Sequence, residues 1–89
     1  MEFDTAFNLF NKCKGCLVNK NLAYVYCTEF GKTKIKSIEI SGTNPAGNFF
    51  EYHFDDNAKF QLTENGILIT DMRQNQVTVQ LLMPAVIFN

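Results

Sequence analysis

Apolar and polar residues alternate with a period of two through most of the chain from Leu22 onward, and this pattern constrains the fold more than any other feature. Successive side chains of a strand point to opposite faces, so the core must be built from one side of a sheet. The N-terminal segment follows a different period. Phe3, Ala6, Phe7 and Phe10 are spaced as one face of a helix, which predicts a helix over residues 3–12. Asp4 lies near its positive end, where the helix dipole favours a carboxylate. Cys13 and Leu17 would prolong the stripe, and Gly15 is expected to stop it. A stripe so rich in phenylalanine needs a broad apolar surface to cover it, and a sheet supplies one.

Residues 22–30 carry Leu22, Tyr24, Tyr26 and Phe30 on one face and Ala23, Val25 and Cys27 on the other, as expected of a central strand. Residues 34–40 slip in phase, with Ile35 on one face and Ile38 and Ile40 on the other, so a bulge is expected near Lys36 and Ser37. Pro45 and Gly47 mark residues 41–47 as a loop. Over residues 48–54, Phe50, Tyr52 and Phe54 face one way and Phe49, Glu51 and His53 the other. Ala58, Phe60 and Leu62 are expected to face the core, and Asn65 with Gly66 reads as a type I′ hairpin turn. Residues 67–70 return. Residues 76–83 are the cleanest strand, with Pro84 ending it or placing it at a sheet edge. Short connections imply antiparallel neighbours. The expected architecture is α+β: a short N-terminal helix packed on a curled antiparallel sheet or partly open barrel of about five to six strands, in a single small globular domain.

At 89 residues the chain is expected to bury one core and little else. Its 46 % apolar content is that of a folded globule. No run approaches the roughly 20 apolar residues of a membrane span. Glu2 and Asp4, with no early Lys or Arg, are unlike a secretory signal. Three cysteines cannot close a disulfide framework among themselves, so a reducing, cytoplasmic setting is expected. Frequent asparagine and a single arginine suggest an AT-rich genome, as of a virus or mobile element. The net charge is −1, but it is segregated: six lysines lie between Lys12 and Lys36 against Glu29 alone. Such asymmetry marks a candidate partner-binding face.

One motif invites a metal. Cys13 and Cys16 form a Cys-x-x-Cys pair that places two thiolates on one tetrahedral zinc, and Cys27 and His53 would complete a Cys3His site. The competing reading makes Cys13 and Cys27 small core hydrophobes. Redox chemistry fits poorly, because the pair follows a helix instead of opening one. Gly31, Lys32 and Thr33 echo the end of a phosphate-binding loop without its upstream glycine. Ser37 and Ser41 are the only serines, and neither sits in a nucleophile elbow. Asp55, Asp56 and Asn57 read as a polar turn. An enzyme is therefore not expected, and no cofactor beyond the zinc alternative.

What remains is a small binding protein acting on another protein, as an inhibitor, an immunity-type protein or a phage-encoded antagonist of a larger macromolecule. Tyr24, Tyr26 and Phe49 are the expected anchors, with Lys32, Lys34 and Lys36 as rim charges. Burial of these aromatics under the helix is the alternative. Stacking of single-stranded nucleic acid on Tyr24 and Tyr26 beside the lysines is a second alternative, opposed by the acidic pI of about 5.7. A homodimer through a last strand at the sheet edge and the apolar tail of residues 85–88 is a further expectation.

Overall fold

The computed structural model describes residues 1–32 and 35–82. Helix α1 (Phe3–Lys12) is followed by β1 (Gly15–Val18), β2 (Asn21–Phe30), β3 (Ile35–Thr43), β4 (Phe49–Phe54), β5 (Lys59–Thr63), β6 (Gly66–Thr70) and β7 (Gln76–Leu82). The strands form one antiparallel sheet in the order β4-β3-β2-β1-β7-β6-β5. The sheet curls into a half-barrel around the helix, an α+β arrangement.

The curl follows from the aromatic residues. Ala6, Phe7 and Phe10 are the buried face of α1, which packs on β2, β3 and β5. Phe60 of β5 meets Phe3 and Phe10 of the helix at ring-centroid distances of 5.8 and 6.4 Å. It also meets Phe54 of β4 edge-on at 6.3 Å. β4 and β5 are the two opposite edges of the sheet, so a contact between their rings requires the sheet to wrap the helix. Ile38, Ile40, Ile69 and Val79 complete the inner face, all fully buried. Full burial of a ring such as Phe10 contributes roughly 2–3 kcal/mol.

Among the described residues there are seven strands instead of five to six, because residues 15–18 are a strand and not a turn. The helix ends at Lys12, where Cys13 turns extended and its N–H bonds to the Phe10 carbonyl. Gly15 is thus not the stop but the first residue of β1. Asn19 and Lys20, at φ 51° and 67°, then form the two-residue turn into β2. This is the type I′ geometry that was expected at Asn65 and Gly66. There only Gly66 has positive φ, 133°, and Glu64 and Asn65 make the bend between paired Thr63 and Gly66.

The extra strand changes the topology. β1 pairs with β2 on one side and β7 on the other, so the last strand lies inside the sheet and not at its edge. Pro84 and the apolar tail lie outside the described residues. No bulge occurs in β3: it pairs with β2 without interruption from Phe30↔Ile35 to Ala23↔Gly42. Ile35 faces solvent, and Lys36 takes the inward position that the phase slip concealed. β3 also runs on through Ser41, Gly42 and Thr43, so the loop begins at Asn44. A Cβ at Gly42 would lie 2.6 Å from the Leu22 carbonyl oxygen, so this inward position admits no side chain without movement. Leu62 shares the face of Phe60 by alternation but is exposed and not part of the core. The β6–β7 loop is closed by Asp71, which accepts the backbone N–H groups of Asn75 and Arg73; these bonds, Asn75 first, hold its carboxyl below the usual range. Among the described residues no helix is long and apolar enough to cross a membrane.

Candidate functional site

The helix covers one face of the sheet, and among the described residues nothing covers the side chains that point the other way. Register sets which ones these are. Tyr24 stands opposite Gly15, and Gly15 opposite Leu82. Leu17 stands between Leu22 and Gln80 in the next row, which Phe49 continues from the edge strand opposite Thr43. Tyr24, Tyr26 and Phe49 are 55, 53 and 66 % exposed. Leu22 is half-exposed beside them. Gly15 contributes no side chain, and a Cδ1 atom of Leu22 and one of Leu82 each lie 3.8 Å from where its Cβ would be. The result is a shallow notch flanked by leucines with Tyr24 beside it. β1 pairs with β2 only as far as Tyr24, and a cleft of about 490 Å³ opens beyond it, lined by Phe10, Asn11, Lys14 and residues 24–28.

The three expected aromatic anchors therefore share one solvent-facing surface and are not under the helix. Lys36 does not join them. Lys32 is exposed in the β2–β3 turn, and Lys34 lies outside the described residues. Lys36 is on the inner side, its Nζ 3.4 Å from Asp4 Oδ1 and 5.3 Å from the centre of the Phe7 ring. Its charge is drawn to a cleft of about 720 Å³ lined by Glu2, Asp4, Asp55 and Asp56.

His53 is not brought to the cysteines. Cys16 is fully buried on the inner face, Cys13 is buried at the helix end, and the Cys27 thiol points to the Phe7 carbonyl at 3.8 Å. His53 alternates with inward Tyr52 and Phe54 and so lies on the opposite face. All three cysteines are thiols. Burial pushes Cys16 and Cys27 up to about 11, with the charge of Cys13 adding to the shift, and burial raises Cys13 as well. Thiols held so high are poor nucleophiles at neutral pH.

A different group gathers on the outer face. Glu39 of β3 is directly opposite His53 of β4, and Glu51 lies two residues before His53 on the same face. The His53 Nε2–H donates to Glu51 Oε1. One ligand atom from each of the three side chains lies within 4.8 Å of the others. Tyr26 stands opposite Glu39 on the β2 side, so this group borders the aromatic surface. Sequence alternation already placed Glu51 and His53 on the face opposite Phe50, Tyr52 and Phe54, whereas Glu39 was not assigned a face. The missing piece was the β3–β4 register, which brings residues 39 and 53 opposite each other.

Compared with protein-family models, curated proteins and solved structures, the chain matches none of them. The functional argument therefore rests on this geometry.

Proposed function

We propose that this chain is a non-enzymatic binding protein that docks a protein partner on the outer face of its sheet, in the manner of an inhibitor, immunity-type protein or phage-encoded antagonist. The observation that carries this reading is the common exposure of Tyr24, Tyr26 and Phe49 on one sheet face, with Leu22 beside Tyr24 and Leu82 across Gly15 from it. Contiguous exposed apolar surface of this kind marks interaction sites. Aromatic rings on a paired strand lose little freedom on binding, which makes them efficient anchors. Glu39 and Glu51 border the face, and Lys36 is turned away from it, so its charge favours a protein over a polyanion. A cytoplasmic setting, in which the three thiols stay reduced, accords with this reading.

The test uses the partner captured by wild-type protein and then purified. Tyr24→Ala and Phe49→Ala are each expected to weaken its binding by roughly tenfold or more, with Tm within a few degrees of wild type. Lys59→Ala, on edge strand β5 and several strands away from the aromatics, should leave affinity unchanged. Unaltered affinity in both aromatic variants overturns the proposal. A second copy of the chain is the competing occupant. Sedimentation would then show a dimer that dissociates in the Tyr24→Ala variant.

A further inference from the structure

We propose that Glu39, Glu51 and His53 form a binding site for one divalent transition-metal ion of the zinc class on the outer face of the sheet. The site does not depend on the identity of any partner. Its donors come from two adjacent strands whose pairing is continuous from Ile38↔Phe54 to Thr43↔Phe49. Three potential ligand atoms thus sit on a hydrogen-bonded ladder, and their separation of at most 4.8 Å needs only side-chain rotation to converge on one ion. The donor set selects the metal. An imidazole nitrogen with two carboxylates suits zinc, cobalt, nickel or iron(II), whereas magnesium and calcium prefer all-oxygen shells.

Charge supplies an independent argument. Glu39 and Glu51 lie diagonally across the β3–β4 ladder, and among the described residues no Lys or Arg lies within salt-bridge distance of either. Among the described residues the one ion pair of Glu51 is to the His53 ring, and Glu39 has none. A divalent cation held between His53 Nε2 and Glu51 Oε1 would neutralise both carboxylates at once, with the neutral imidazole ligating through Nε2 and carrying its one proton on Nδ1. The site is open on its solvent side, so water or a partner's side chain would complete the coordination.

The experiment titrates the full chain, stripped of metal under reducing conditions, with cobalt(II) while recording visible absorption. One saturable equivalent is expected, with a d–d spectrum of oxygen and nitrogen ligation and no thiolate charge-transfer band. His53→Gln and Glu39→Gln are each expected to lower affinity roughly tenfold or more. Both residues face solvent or its border, so the melting curves should match wild type and show that the loss is not unfolding. Zinc should displace the cobalt and magnesium should not. A thiolate band, binding unaltered in the two variants, displacement by magnesium, or no saturable binding would each overturn the assignment.

Discussion

At the scale of single residues, the strained backbone positions give the sharpest expectations. Lys20 is held at φ 67° in the β1–β2 turn, where a Cβ carries a steric cost that glycine avoids. Lys20→Gly creates the Asn-Gly pair that type I′ turns favour and is expected to stabilise the fold by about 1 kcal/mol, read as a higher urea midpoint. Gly66 behaves in the opposite sense. It sits at φ 133°, and a Cβ there would lie 2.4 Å from the Val79 carbonyl oxygen. Gly66→Ala is therefore expected to cost about 1–3 kcal/mol in the same measurement. The buried thiols set the pH response. Cys16 and Cys27 ionise only near 11 in the folded chain, against 9.0 for an unburied thiol. Above the lower value the unfolded chain releases protons that the native chain retains. Stability is then full below pH 9.0 and falls as pH rises towards 11. Denaturant midpoints measured across that window should decline, and Cys27→Ala should flatten the decline.

Elements show where local pattern suffices and where it fails. The helix was legible because four apolar residues at helical spacing have no other economical arrangement, and α1 spans Phe3–Lys12 as the stripe predicts. Its start is less well made. Glu2 occupies the N-cap with no side-chain bond to the first turn, although its carbonyl accepts the Ala6 N–H. Glu2→Ser places a short hydroxyl there and is expected to raise stability by about 0.5–1 kcal/mol, with a matching gain in Tm. β1 was not legible. It is a strand of four residues that opens on glycine and contains half of a Cys-x-x-Cys pair, so both propensity and motif argued for a turn. What makes it a strand is tertiary: β2 and β7 supply hydrogen-bond partners on both sides. The phase slip in β3 misled for a related reason. Lys36 occupies an inward position because its long stem reaches past Phe7 to Asp4 at the margin of the core, a solution that hydropathy alone reads as a defect.

For the molecule as a whole, the decisive distinction is between the two faces of one sheet, and sequence could supply only half of it. In β2 both faces are apolar, so alternation could not say which one the helix covers. The three-dimensional answer puts small Ala23 and the thiol of Cys27 towards α1 and leaves Tyr24 and Tyr26 outside. Space accounts for this choice. The inner surface is already filled by helix phenylalanines and by Phe54 and Phe60, and further rings would overpack it. The outer aromatics are then dispensable for the fold, and this separates an interaction surface from a structural one. A chain carrying Leu22→Thr, Tyr24→Thr and Phe49→Thr together should remain folded, with a total cost of about 1–2 kcal/mol, since each side chain is already half or more exposed. Phe10→Ala, one substitution on the other side, should cost about 3–5 kcal/mol, much of the stability a domain of this size possesses. Thermal melts of the two proteins make the comparison directly. If the triple outer variant melts as low as Phe10→Ala, those side chains serve the fold, and the binding surface assigned here is lost with them. If it melts near wild type, the protein exposes aromatic rings at little benefit to its own stability, and a partner is the physical reason for keeping them.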